Sequence, residues 1–306
     1  MSAYQAALNI APEPTEIGAH RTTPGTVNAA IVAFYKSHAF LKNKPITQST
    51  DRNILESFRV KHGDKRIAKM ERRHVLDIIA EKAETPAAQR NLLRVLRVLL
   101  GFAVECGMRS DNPALGIKLG GHATEGYHSW TEAELRQFED RHPIGTKARL
   151  ALALLLFTAQ RRADIVQLGP GHVRDGRLQF RQSKTGAEVD IPIAPPLAEI
   201  IAATPMVGVR TYLVTEYGRP FTAAGFGGWF KDQCYAANLP HCSAHGLRKA
   251  FLRRMAEAGC SEDFIASISG HKDMREIRTY VQAANKARMA TEGMAKTLLK
   301  FPEAGK

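Results

Sequence analysis

At 306 residues the chain exceeds the usual single-domain size, so two domains are expected, and 44% hydrophobic content is enough to bury real cores. Lys and Arg number 43 against 30 Asp and Glu, a net charge of +13 that points to a polyanionic partner, nucleic acid ahead of membrane. Cys106, Cys234, Cys242 and Cys260 form no CxxC pair, the first residues lack a secretory pattern, and the most apolar stretch, Leu150 to Phe157, is too short for a bilayer span; disulfide-scaffold, secreted and membrane classes are excluded, and a soluble cytoplasmic protein is expected.

Residues 1–23, with Pro12, Pro14 and then Pro24, show little periodicity and are read as a flexible arm. From Thr26, a fitting N-cap, Val27, Ala30, Ile31 and Phe34 fall on one helical face. A second helix is predicted over 49–60, with Leu55 and Phe58 inward, and a third over 73–82 through Val75, Ile78 and Ile79. The clearest starts at Pro86 and carries the stripe Leu92, Leu93, Leu96, Leu99, Leu100 and Ala103 until Gly107 ends it, with Arg90, Arg94 and Arg97 on its other side. Residues 24–117 thus read as a helical domain holding 16 Lys and Arg against 9 Asp and Glu, and DNA-backbone contact is expected of it.

Residues 118–129, KLGGHATEGYHS, read as a linker. Thr131, with Glu134 three residues on, makes a capping box opening a second domain over 130–306. Helices over 131–141 and 147–159 follow. Residues 177–193 then alternate Leu178 and Phe180 with Val189, Ile191 and Ile193 around Lys184-Thr185-Gly186, a β-hairpin by period and turn chemistry. Helices over 223–237, 244–258 and 261–269, and a last one over 286–299, complete the chain. The fold class is mainly α with a small antiparallel β-sheet (α+β).

Reactive side chains gather near the ends of these elements. Arg161 follows the apolar helix, Lys184 stands at the hairpin turn, His245 and Arg248 share one helical face, His271 follows Gly270, and Tyr280 comes nine residues later. Arginine forks clamp phosphate oxygens, cationic donors stabilise developing charge, and a tyrosine hydroxyl is a feasible covalent nucleophile, so the set suits phosphoryl transfer without a metal. Taken singly each has a plainer explanation: a helix cap for Arg161, a solvated turn for Lys184, a structural histidine for His245, a half-buried anchor for Tyr280. In this order and spacing the set reads as a site. Phe251, Met255 and Ile265 read as core, and Arg253-Arg254 as a solvated face or a DNA contact. Cys234, His241, Cys242 and His245 invite a zinc reading, but their C-x6-HC-x2-H spacing matches no ordinary finger, and no metal site is assigned.

The ordered set Arg161, Lys184, His245-x-x-Arg248, Gly270-His271 and Tyr280, in TAQRRADIVQL, the hairpin, SAHGLRKAFLRRMAEAG and SGHKDMREIRTY, resembles the signature of the tyrosine recombinases of the phage-integrase type. The resemblance covers roughly residues 127–290. The helical N-terminal domain is similar in kind to that family's core-binding domain, with MRSDNPA (108–114) like its usual exit. Ala159-Gln160 stands where Gly and an apolar residue are common, Asp164 where Glu is usual, and Lys249 where many members have His.

The resemblance implies site-specific cleavage and rejoining of DNA through a 3′-phosphotyrosyl bond and a Holliday junction, integrating or excising a mobile element. In the implied roles Tyr280 attacks the scissile phosphate and Arg161 and Arg248 bind its non-bridging oxygens. Lys184 protonates the leaving 5′-oxygen, with Lys231 and Lys249 as competitors; His245 is general acid/base, and His271 donates a hydrogen bond to the phosphate. No cofactor, ATP or metal is implied, and the chain shows no GxxxxGK[ST] loop. The implied partner is double-stranded DNA held in a two-domain clamp by a homotetramer, with a possible accessory DNA-bending protein and the nucleoid as its place of work. The final helix would pack on a neighbouring protomer or on its own domain. The alternatives are a non-catalytic DNA-binding protein on the same fold and a type IB topoisomerase, which a relaxation assay beside a two-site recombination assay separates.

Overall fold

The computed structural model describes residues 22–120, 126–205 and 207–298 and divides the chain into two compact units, Met1–Ala123 and Thr124–Lys306. The flexible arm expected over 1–23 lies outside the described residues save for Thr22 and Thr23, as do residues 121–125 of the expected linker.

The first unit is helical. α1 (Val27–Lys36) is capped by the Thr26 hydroxyl and buries Val27, Ala30, Ile31 and Phe34, the stripe legible in the sequence. α2 (His38–Leu41) is a single turn with no counterpart in the sequence reading. α3 (Pro45–His62) starts four residues ahead of the expected helix because Pro45, with φ already fixed, takes its first turn. α4 (Arg72–Ala80) and α5 (Pro86–Glu105) close a core around Leu55, Ile67, Val75, Leu96 and Leu100. Several arginines of this unit are engaged within it. Arg94 pairs with the buried Asp51 at 2.5 Å, and Arg97 donates to the carbonyls of Ala114 and Ile117. Arg109, buried, donates to the carbonyls of Ile67 and Met70 at 2.9 Å. Charge excess in the sequence therefore overstates the free cations of this unit.

In the second unit α6 (Glu132–Arg141) opens on the Thr131–Glu134 capping box. α7 (Lys147–Thr158) is apolar all round, with nine of its residues buried, as befits a helix at the centre of a core. α8 (Arg162–Ile165) follows, then a three-stranded antiparallel sheet of β1 (Val173–Arg174), β2 (Arg177–Arg181) and β3 (Glu188–Pro192), ordered β1-β2-β3 with Leu178 opposite Ile191 and Phe180 opposite Val189. The sequence reading has two strands. The third comes from Asp175-Gly176, both at positive φ (49° and 72°), a two-residue hairpin turn whose Asp-Gly signature lies just ahead of the predicted hairpin. α9 (Pro195–Ala203), absent from the sequence reading, packs on α7.

α10 (Ala223–Ala236), α11 (Ala244–Glu257) and α12 (Glu262–Ser269) lie where expected. α13 (Arg275–Leu298) starts eleven residues before the predicted helix, so Tyr280 is a helical residue. Its inward face, Ile277, Tyr280, Val281 and Ala284, has helical spacing, but of these only Ile277 is fully buried. α11 packs against both α7 and α13, and this central position lets one helix carry two site residues. No helix of the described residues is long and apolar enough to cross a membrane.

Candidate active site

α7 ends at Ala159 in the left-handed conformation (φ 53°, ψ 24°), turning the chain sharply. The turn presents the Ala159 carbonyl to the guanidinium of Arg248, which reaches it from α11. The same Arg248 Nη1 donates to the Ser269 carbonyl at 3.0 Å, and Nη2 lies 2.9 and 3.1 Å from the two ring nitrogens of His271. His271 Nδ1 in turn lies 2.7 Å from the Ser269 hydroxyl. Two residues after Ala159, Arg161 stands immediately before α8 and donates from Nη1 to Oε1 of Gln182 at 3.0 Å.

Gln182 is the hub of a buried amide network. Its Nε2 donates to Gln160 Oε1 at 2.6 Å and to the Ser269 carbonyl at 2.8 Å, and its Oε1 also accepts from the Thr185 hydroxyl at 2.6 Å. Gln160 donates to the Thr158 and Ile268 carbonyls. Three separate stretches, 158–161, 182–185 and 268–271, are thus pinned together. Gly270 sits among them with φ 66°, and a Cβ there would lie 2.8 Å from Gln182 Cδ and closer still to its Nε2. Glycine is required twice over at this position, by its backbone and by its neighbour.

The electrostatics point to an anion. Arg248 is 2% exposed, and burial, then the charge of Arg161, pulls its pKa down to about 10. His245 is held below its ordinary value by burial, with Arg248, Lys249 and Arg161 adding to that against Glu276. At physiological pH it is a neutral imidazole able to accept a proton. Two carboxylates, Glu276 and Asp164, act on Arg248. Glu276 lies 3.6 Å from His271 Nε2, an ion-pair rather than a hydrogen-bond separation, and His271 beside it, with Arg248 and His245, holds its pKa at about 2 against the effect of burial.

Tyr280 stands one turn beyond Glu276 on α13. Its ring is half-buried against Leu252, Ala256, Ile265 and Ile277, and its hydroxyl has no hydrogen-bond partner among the described residues. Burial, then the Glu276 carboxylate, pushes its pKa up to about 12.

Comparison with known proteins decides the family. The phage integrase family matches residues 131–287, more than half of the chain. The chain belongs to that family. Its members are the tyrosine recombinases, enzymes that break and rejoin DNA. Tyrosine recombinase XerC of Erythrobacter litoralis (strain HTCC2594) is 25% identical over 226 residues, 68% of this chain and 72% of that protein. The fold is that of lambda integrase residues 75–356, solved as a dimer on a COC' core site, with a TM-score of 0.74 at 19% identity over 84% of this chain and 95% of that one. It is likewise that of the Tn1549 transposon integrase (residues 82–397), solved in complex with circular intermediate DNA, with a TM-score of 0.69 at 17% identity over 86% of this chain and 99% of that one.

Set against the phage-integrase pattern, the departures have local explanations. Ala159 takes the left-handed turn that glycine takes more easily, and Gln160 replaces an apolar residue because its amide is engaged on both sides. Asp164 Oδ1 accepts from the Ser183 N–H at 2.8 Å and its hydroxyl at 2.6 Å, while Oδ2 is buried without a hydrogen-bond partner. Of the six residues expected at the site, Arg161, His245, Arg248 and His271 are brought together. Tyr280 joins them through Glu276. Lys184 is exposed on the β2–β3 turn, whose flanks are tied to the network by Ser183 on Asp164 and Thr185 on Gln182.

Among its competitors, Lys231 Nζ donates to the carbonyls of Pro240 and Cys242, a loop-holding role, while Lys249 is half-buried and acts on His245. Arg253 and Arg254 both bind Glu132 on α6. Gln160, Gln182 and Glu276 are the site residues that sequence reasoning misses. The available signal is the helical spacing of Ile277, Tyr280, Val281 and Ala284, which extends the last helix back over Glu276 and aligns it with Tyr280 one turn on.

Proposed function

We propose that this chain cleaves and rejoins DNA at specific sites through a covalent 3′-phosphotyrosyl bond on Tyr280. The observation that carries the proposal is the gathering of Arg161, His245 and Arg248 in one site, with His271, Arg248 and His245 around the Glu276 carboxylate on the helix that also bears Tyr280. The scissile phosphate takes the place of that carboxylate. Arg161 and Arg248 then bind its non-bridging oxygens, and His271 donates to one of them. The Tyr280 oxygen attacks phosphorus as its proton passes to the neutral His245, and the P–O5′ bond breaks as Lys184 protonates the departing oxygen. A second strand's 5′-hydroxyl reverses the step and releases Tyr280. One phosphodiester is exchanged for another, so the bond energy is kept.

On this reading the working form is a homotetramer on two DNA sites that exchanges strands through a Holliday junction, and its element is mobile. Lambda integrase has been solved as a tetramer bound to a Holliday junction, at 18% identity and a TM-score of 0.74. From Lys286 to Thr297 every residue of α13 is exposed, Met289 and Met294 among them, which favours packing of this segment on a neighbouring protomer over packing on its own domain. Basic groups of both units are assigned to the DNA backbone.

The test is a nicked suicide duplex drawn from the DNA flanking the gene. The wild-type protein is expected to leave an SDS-resistant adduct, and Tyr280→Phe to bind the duplex equally without forming one. An adduct in the mutant would show that another residue attacks.

A further inference from the structure

A second cluster lies outside the network described above, where the lead-in to the second unit meets the loop before α11. His128 Nε2 lies 2.7 and 2.9 Å from the two Glu134 oxygens, and His241 Nε2 lies 2.5 Å from Glu134 Oε1. The two imidazoles stand edge to face with centroids 4.9 Å apart. Cys242 closes the group from the core side. One donor atom from each of the four residues lies within 4.8 Å of all the others.

We propose that His128, Glu134, His241 and Cys242 form a structural zinc site. Two imidazole nitrogens, one carboxylate oxygen and one sulfur are a zinc donor set, borderline to soft and sufficient for four-coordination. In a tetrahedral site with bonds of about 2.0–2.3 Å, neighbouring donor atoms stand about 3.3–3.7 Å apart. The histidine–carboxylate separations must therefore open by about an ångström, which two half-exposed histidines at 37% and 51% allow. The other two ligands are already fixed in place. Glu134 is held by the capping box of α6, and Cys242 is fully buried with its carbonyl bonded by Lys231 at 3.1 Å. Solvent reaches the cluster from the histidine side, which provides the ion's route in.

The quartet that the sequence analysis set aside for its spacing, Cys234, His241, Cys242 and His245, is a different one. Cys234 and His245 are not in this cluster, and His128 and Glu134, more than 100 residues away from His241 in sequence, replace them. Ligation would fasten residues 128–134 to the loop that launches α11. The segments already touch there: Trp130 Nε1 donates to the Ser243 carbonyl at 2.9 Å, and a Cβ on Gly246 would lie 2.8 Å from Trp130 Cδ1 and closer still to the His128 carbonyl oxygen. His245 and Arg248 lie in the next two turns. In binding, each Nε2 gives its lone pair to the ion and keeps its proton on Nδ1, while the Cys242 thiol loses its proton to solvent.

The experiment uses the tag-free, full-length protein stripped of metal and titrated with Co(II), then with Zn(II) in competition. One equivalent per chain is expected, with tetrahedral d–d bands and a sulfur-to-cobalt charge-transfer band that zinc abolishes. Cys242→Ser should remove the charge-transfer band. His241→Ala, at a half-exposed position that leaves the core untouched, should weaken zinc at least about tenfold, the loss that even an outer-shell change brings. Glu134→Gln keeps the capping box and should weaken zinc similarly. Saturating zinc should raise the melting temperature of the wild type and leave that of His241→Ala in place. Binding well below one equivalent, an octahedral spectrum without the sulfur band, or affinity unchanged in both His241→Ala and Glu134→Gln overturns the proposal and leaves a hydrogen-bonded His–Glu–His cluster.

Discussion

Replacing Gly270 by alanine tests whether the buried amide network holds the site together. The backbone at Gly270 is left-handed (φ 66°), which costs a residue with a Cβ about 1–2 kcal/mol. The new carbon would also lie 2.8 Å from Gln182 Cδ and closer to Nε2, so the amide must move, with its bonds to Gln160 and to the Ser269 carbonyl at stake. Leaving such buried groups unpaired costs about 1–3 kcal/mol more. A total of about 3 kcal/mol corresponds to roughly 6–12 °C in melting temperature for a unit of this size.

Both tryptophans, Trp130 and Trp229, belong to the second unit, so their fluorescence follows its unfolding alone. Arg161 and His271 should lose their alignment with it, and DNA cleavage should fall further than stability requires at temperatures where the mutant stays folded. Gly228→Ala is the control. It lies inside α10 with nothing within 4 Å of the added carbon and should stabilise by about 0.5–1 kcal/mol. If Gly270→Ala melts with the wild type, Gln182 relocates freely and the network is not what positions the site.

Arg248→Ala should cost both cleavage and about 2–4 kcal/mol of stability, because the buried guanidinium satisfies the Ala159 and Ser269 carbonyls. Arg161→Ala should cost about 10²–10³ in cleavage rate with little change in a urea melt, and Arg161→Lys should rescue it poorly; normal cleavage by the lysine variant would refute the clamp. Lys184→Ala should fail on ordinary DNA yet approach wild-type speed on a substrate with sulfur at the 5′-bridging position, whose leaving group needs no acid. Equal defects on both substrates would remove Lys184 from that role and turn attention to Lys249. Glu276→Gln should bring the Tyr280 pKa down from about 12 toward the ordinary phenol value, read by NMR of ring-labelled tyrosine, and a fixed pKa would show that the carboxylate is not a cause. Burial depresses the pKa of both His142 and His245, so the folded state takes up fewer protons than the unfolded chain. Their contribution to stability should be complete above about pH 6.5 and lost as pH falls below it, which urea midpoints at successive pH values would show, with a shallower slope in His245→Gln.

Much is legible in the chain itself because it is written locally. Helical stripes such as Leu92 to Ala103, the Thr26 and Thr131 caps and the hairpin around Gly186 depend on neighbours within a turn or two, and the elements stand where those signals put them. The order and spacing of Arg161, His245, Arg248, His271 and Tyr280 named the family, since chemistry at a phosphate demands those residue types however the chain is folded. Three things were decided only by tertiary structure. Arg94 and Arg97 look like free cations in sequence, but their partners lie 15 to 43 residues away, and Arg109 adds bonds to Ile67 and Met70 to its local pair with Asp111, so only packing shows how they are engaged. Gln160, Gln182 and Glu276 carry no motif; the first two owe their standing to contacts across 21 residues or more, and Glu276 to a helix that begins eleven residues before the expected one. His128 and Glu134 meet His241 and Cys242 across more than 100 residues, a distance over which no spacing rule operates and only the folded chain brings donors together.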